Sequence, residues 1–145
     1  MIQFGLPYPI SANRYWRTFV AGGRVVTHPS TEATQYKRDA AWIARGAGLV
    51  EPLEGPIEVE LVLHPVEPKD AAVRARKQGP SWVFGVRCLD VDNAVKVALD
   101  ALQGVAYAND KQIVTLLVQK GMPCAKGALS VRVSAAVDVE LKEAA

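Results

Sequence analysis

The run Ile57-Glu58-Val59-Glu60-Leu61-Val62-Leu63-His64 constrains the fold more than any other stretch of the chain. Ile57, Val59, Leu61 and Leu63 fall at every second position, so all four point to one face of an extended strand. That face needs a core, and the strand needs neighbours for its peptide groups. Ile2, Phe4 and Leu6 alternate in the same way before Pro7 and Pro9 end the pattern. Near the other end, KQIVTLLVQK and ALSVRVSAAVDV read as two strands joined at 124–127, forming an antiparallel hairpin. Between the strands, Ser30 or Thr31 caps a helix running to about Gly46, with Tyr36, Ala40, Ile43 and Ala47 on one face. A second helix is expected over VDNAVKVALDALQG, with Val91, Val95, Leu99 and Leu102 as its stripe and Gly104 as its stop. The stretch 10–29, with Gly22-Gly23 inside it, reads as an irregular loop or small hairpin. Residues 65–81, broken by Pro65, Pro68, Gly79 and Pro80, hold a short basic helix, and 82–89 return as a short strand. The expectation is an α+β fold: a single domain over 1–145, with a mixed sheet and about two principal helices.

Size and composition agree with one domain. A chain of 145 residues buries roughly two-thirds of its unfolded surface. Half its residues are apolar and 22% are charged, which excludes a disordered chain, a collagen and a coiled coil. No apolar run approaches the roughly 18 residues of a membrane span, and MIQFGLPYPI lacks the pattern of a signal peptide. The two cysteines cannot make a disulfide framework, and two histidines without a CxxC give no zinc site. A soluble, cytoplasmic protein with no membrane partner is expected.

The net charge of +2 identifies no partner, but its distribution is informative. Residues 67–87 carry Lys69, Arg74, Arg76, Lys77 and Arg87 against Glu67 and Asp70. Residues 13–24 carry Arg14, Arg17 and Arg24 with no acid, beside Tyr15, Trp16 and Phe19. Cations interleaved with aromatics suit a nucleic acid, whereas charge alone favours simply solvated loops.

The chemistry is concentrated in Leu89-Asp90-Val91-Asp92-Asn93-Ala94-Val95-Lys96. Asp90 and Asp92 stand where an extended segment meets a helix and project to one side. Asp92 has an ordinary use as the N-cap, which leaves Asp90 without one. Lys96 lies one turn on, where an i,i+4 ion pair would be worth roughly 0.3–0.5 kcal/mol. Asp100 continues the row. A third acid, Asp110, follows in Tyr107-Ala108-Asn109-Asp110-Lys111-Gln112, a sequence that serves equally as a plain turn. Were its strand to pair beside the Asp90 segment, the three carboxylates would face one another and need a cation, Mg²⁺ or Mn²⁺ by their oxygen donors.

The run LDVDNAVKVALDAL followed by YANDKQI resembles the RusA family of Holliday-junction resolvases, endonucleases of bacteria and their phages. The opening Pro9-Ile10-Ser11-Ala12-Asn13-Arg14-Tyr15-Trp16-Arg17 is similar to the family's proline-led opening, and the likeness extends to about residue 134. The resemblance implies a homodimeric, Mg²⁺-dependent nuclease that cuts four-way DNA junctions by paired nicks. It makes Asp90, Asp92 and Asp110 the metal carboxylates and Lys96 the active-site cation. Three features depart from the pattern: Cys88-Leu89 stands where relatives often carry a basic residue, 65–87 is longer, and Asn109 replaces a second Asp.

A dimer also follows from symmetry. One chain of this length has a radius of gyration of only about 15 Å, too small to present sites to two arms of a junction. The apolar faces of the two C-terminal strands are candidates for its interface. Arg14, Tyr15, Trp16 and Arg17, with Arg74, Arg76 and Lys77, are the candidate DNA contacts, with Tyr15 and Trp16 stacking on or wedging into an opened junction. Trp16, Trp42 and Trp82 all read first as core or interface residues, and His28, His64 and Cys88 as bystanders. The competing class is a module that grips branched DNA without efficient cutting.

Overall fold

The computed structural model describes residues 1–137 and 142–144. A four-stranded sheet is built from β1 (Ile2–Pro7), β4 (Ile57–His64), β5 (Ile113–Lys120) and β6 (Ala128–Ala135), in the order β1-β6-β4-β5. The β1/β6 and β6/β4 pairs are antiparallel and β4/β5 is parallel, so the sheet is mixed as expected. A separate ribbon pairs β2 (Trp16–Ala21) with β3 (Arg24–Pro29). Two long helices, α2 (Thr31–Gly46) and α4 (Val91–Leu102), accompany the short α1 (Ala12–Tyr15) and α3 (Ala71–Gln78). The α+β class holds.

The alternation at 57–64 does what its period requires. Ile57, Val59, Leu61 and Leu63 are buried beside Leu129, Val131 and Val133 of β6 and Phe4 and Leu6 of β1. On the outer face, Glu60 and Arg132, paired in register, form a 2.7 Å ion pair. α2 and α4 close the inner face. Ser30 caps α2 through its Oγ, which accepts from the Ala33 N–H at 3.1 Å, a bond worth about 1 kcal/mol.

Several expectations need correction. The last two strands are not a hairpin, because β4 lies between them. Neighbours-but-one in a sheet are only about 10 Å apart, a gap that residues 121–127 cross over the end of β4. There Gly121 donates to the Leu63 carbonyl, while Cys124 and the 65–67 segment exchange backbone bonds. Residues 82–89 form no strand: Pro80 and Gly79 start a 3-10 helical segment, Gly79–Gly85, that buries Trp82. The face of α4 is rotated from the expected stripe, with Ala94, Val97, Ala98, Ala101 and Leu102 buried and Val91, Val95 and Leu99 only half-buried. On α2, likewise, Ala44 is buried rather than Ala47. Alanine scarcely marks a hydropathy pattern, yet its small side chain lets the two helices pack closely against the sheet.

The 10–29 segment takes the hairpin alternative, turning at Gly22 and Gly23, whose φ angles of 56° and 73° suit a two-residue type I′ turn. The basic helix within 65–81 is α3. Trp42 lies exposed on α2. Among the described residues, no helix is long and apolar enough to cross a membrane.

Candidate active site

Asp90 is the N-cap position of α4: its backbone carbonyl accepts from the Ala94 N–H at 3.1 Å. Asp92 sits in the helix's second position, so the expected capping role does not fall to it. Neither carboxylate accepts a capping hydrogen bond; both are exposed. The segment leading into Asp90 is held by Tyr8, whose hydroxyl accepts from the Leu89 N–H at 2.8 Å and donates to Cys88 Sγ at 3.7 Å. Burial of that phenol, with Cys88 alongside, raises its pKa above the usual tyrosine value despite the opposing Leu89 N–H.

Lys96 is exposed one turn beyond Asp92, and among the described residues it forms an ion pair with neither Asp92 nor Asp100. Asp100 has other partners. It accepts from the buried Tyr15 hydroxyl and pairs with Lys37 Nζ at 3.1 Å. The ordinary explanation for Lys96, a helix-surface ion pair, is therefore not realised. In the sequence Asp100 only continues a charged row. Its place one turn past Lys96 was visible, but its link to α1 and α2 is tertiary.

The turn before β5 divides its labour. Asn109 Oδ1 accepts from the Lys111 N–H at 2.9 Å. The Gln112 side chain accepts from the Ala108 and Asn109 N–H groups and donates to the carbonyls of Leu53 and Gly55. These two residues make the turn. Asp110 stands between them, exposed and without a side-chain hydrogen bond among the described residues. Its negative charge is felt by Tyr107, whose pKa is raised first by burial and then by Asp110 and Asp100.

Lys96 and Asp110 open onto one groove of about 270 Å³, together with Trp16, Leu99, Asp100 and Gln103. Asp90 lines a different and larger cavity, about 570 Å³, with Arg74, Arg87 and Asn93. β5 pairs with β4, so the strand pairing that would have set Asp110 directly beside the Asp90 segment is not formed. Among the described residues no three Asp, Glu, His or Cys side chains come close enough to hold one ion. The donor chemistry nevertheless fits Mg²⁺, which commonly takes one or two carboxylates and fills its remaining positions with water and substrate phosphate.

The expected DNA contacts separate into buried, ion-paired and exposed residues. Tyr15 is fully buried, with its hydroxyl on Asp100, so it is not available to stack on a base. Burial and the neighbouring carboxylate push its pKa up. Arg14 is engaged by Glu32 at 2.7 Å and Arg74 by Asp70 at 2.9 Å. That second contact, Arg74's hydrogen bond foremost, lowers the Asp70 pKa. Trp16, half-buried, faces the Lys96 groove, and Arg17, Arg76 and Lys77 are exposed without ion pairs among the described residues. His64 is a strand residue, bonded to the Met122 carbonyl and Ser130 Oγ.

Exposed carboxylates on one helix, a lysine without an ion pair among the described residues, and a neighbouring cavity lined by Arg74 and Arg87 are the equipment of a phosphodiester hydrolase that handles a polyanion. Comparison with known proteins makes the class specific: the chain belongs to the endodeoxyribonuclease RusA family, whose model matches residues 7–134. It is similar to the crossover junction endodeoxyribonuclease RusA of Escherichia coli (strain K12), at 32% identity over 123 residues, covering 84% of this chain and 83% of that protein. The crossover junction endodeoxyribonuclease of Enterobacteria phage 82 matches with the same identity and coverage. The RusA protein of Escherichia coli O139:H28 (strain E24377A / ETEC) is 30% identical over 122 residues, covering 84% of this chain and 83% of that protein.

Proposed function

We propose that this chain is a Mg²⁺-dependent endonuclease that resolves four-way DNA junctions in recombination and repair, acting as a homodimer. The observation that carries the proposal is the absence of structural work for Asp90, Asp92, Lys96 and Asp110: all four are exposed, and none has an ion pair among the described residues. Family membership supplies the reaction class, and the relatives' names supply the junction as substrate.

In this reading Asp90, Asp92 and Asp110 are the side chains that would hold Mg²⁺, one or two carboxylates to an ion, with water and substrate phosphate in the remaining positions. The ion, when bound, supplies a lowered water pKa and polarisation of the scissile phosphate. Lys96, without a carboxylate partner among the described residues, offsets negative charge that develops on the phosphate oxygens. Tyr8 fixes the backbone entering Asp90, while Asn109 and Gln112 hold the turn that presents Asp110. Arg76 and Lys77 contact phosphates outside the reacting centre.

Two nicks placed symmetrically in a junction require two sites, which a two-fold dimer provides. The interface expected on the C-terminal strands narrows to β5, because Leu129, Val131 and Val133 of β6 are consumed in the core. β5 is an edge strand that exposes Val114, Leu116 and Leu117. The remainder of the proposed C-terminal face, at 138 and 139, lies outside the described residues.

Incubation with a synthetic four-way junction tests the proposal. Paired ligatable nicks are expected in Mg²⁺ and none in excess EDTA. Tight junction binding without cutting in Mg²⁺ would instead identify a branched-DNA-binding module.

A further inference from the structure

We propose that the β2–β3 hairpin is a wedge that enters the opened centre of the DNA junction, with base pairs packed against both of its faces. The inference rests on the junction reading above and assigns a role to an element outside the Asp90–Lys96 helix.

The hairpin stands away from the core. Every residue of β3 and five of the six in β2 are exposed. Its base is clamped, since the Ser30 N–H donates to the Tyr15 carbonyl at 2.7 Å and Ser30 Oγ donates to the Arg14 carbonyl at 2.7 Å. The paired glycines match the natural twist of a ribbon, and the Thr18 and Thr27 hydroxyls bond across it at 3.1 Å. Six-residue strands give it a reach of about 20 Å. Its first residue, Trp16, lines the groove that holds Lys96 and Asp110.

Each face carries one apolar pair near the turn, beside Arg17, His28 and Arg24 on one face and Thr18 and Thr27 on the other. The register sets Phe19 beside Val26 on one face and Val20 beside Val25 on the other. Phe19 is 48% exposed, Val20 71%, Val25 72% and Val26 38%. A ribbon docked on a protein, or laid in a duplex groove, needs one such face and keeps the other polar. A ribbon inserted between base pairs needs two, because each face meets the open surface of a pair. A continuous duplex hides those surfaces by stacking; a branch point exposes them.

Charge selects the same occupant. No acid occurs from Tyr15 to Thr31, whereas Arg17 and Arg24 stand at the two ends of the hairpin without ion pairs among the described residues. A two-fold contact between copies through this element would set these arginines near their own counterparts, at a like-charge cost. DNA brings the phosphates they lack.

The full chain is tested in EDTA, so that binding is read without cleavage. Probes are a four-way junction with 2-aminopurine at the branch and a linear duplex of equal length. The variants are Phe19→Thr/Val26→Thr, Val20→Thr/Val25→Thr and all four together; threonine preserves strand propensity at these positions. Each pair should weaken junction binding, the quadruple variant by about 5–150-fold if one base stack is lost. Duplex affinity should stay within about twofold, and the branch-point fluorescence rise seen with wild type should disappear. An unchanged fluorescence rise in the quadruple variant would overturn the wedge. So would a loss confined to one pair, which would mean surface docking. A quadruple variant that becomes monomeric would make a second copy the occupant. Should the quadruple variant melt abnormally, Phe19→Thr/Val20→Thr decides alone, by the same readouts. Wild type showing no preference for the junction would refute the junction reading itself, and the wedge with it, and is distinguished because no variant is needed to see it.

Discussion

Asp110 and its neighbours allow structure and chemistry to be separated within four residues. Replacing Gln112 with alanine removes two accepted bonds, at 2.9 and 3.0 Å, and two donated ones, at 2.8 and 2.9 Å. A neutral hydrogen bond is worth about 1 kcal/mol net, and several of these groups can recover water, so the loss should be about 2 kcal/mol. For a chain of this size that lowers Tm by about 4–8 °C. Asn109→Ala forfeits a single cap bond and should cost about 1 kcal/mol. Asp110→Asn loses no bond among the described residues and should stay within about 0.5 kcal/mol of wild type. Calorimetry and single-turnover junction cleavage on the same preparations then give opposite orders. Gln112→Ala should be the least stable, whereas Asp110→Asn should be wild-type in Tm and slower in cleavage by about a hundredfold or more. A normal cleavage rate for Asp110→Asn would remove that residue from the site. A Tm loss as large as that of Gln112→Ala would make it a turn residue.

Lys96→Ala should reduce cleavage by orders of magnitude with a stability change within about 0.5 kcal/mol, because no ion pair among the described residues is broken; an unchanged rate with lowered Tm would assign it to the helix. Arg76→Ala/Lys77→Ala should weaken junction and duplex binding alike and reduce the salt slope by about 1.8, the value for two phosphate contacts. Adding Arg74→Ala should change the slope less than either of these, since Arg74 already faces Asp70. Sedimentation should give about twice the 15.6 kDa chain mass, and Leu116→Lys/Leu117→Lys on β5 should shift it toward the monomer; an unaffected dimer would place the interface elsewhere.

Much of the fold was legible because one face of each strand is buried. Ile57 to Leu63 reads directly as a sheet strand, and Ser30 directly as a cap. What escaped is what short-range patterns do not encode. The partner of β5 is chosen by tertiary packing, and a seven-residue connection serves equally to turn back or to pass over a neighbour. The α4 face was misread by one side because its centre is alanine. In the site, Asp90, Asp92, Lys96 and Asp110 could be named from spacing alone. Their freedom from structural partners could not, since it depends on Tyr15 and Lys37 holding Asp100 and on Gln112 reaching back to Leu53. Tyr15 was misplaced for a related reason: an aromatic beside two arginines looks like a DNA contact until its hydroxyl is seen to be buried on α4.

Asp92→Asn, with junction affinity and single-turnover cleavage measured on the same protein, tests the central claim most directly. The substitution preserves size, loses no capping bond and removes one negative charge near DNA phosphates. Affinity should be equal or higher, Tm unchanged and cleavage nearly abolished in Mg²⁺. Cleavage at the wild-type rate with Asp92 neutral would contradict a carboxylate-dependent nuclease site on α4.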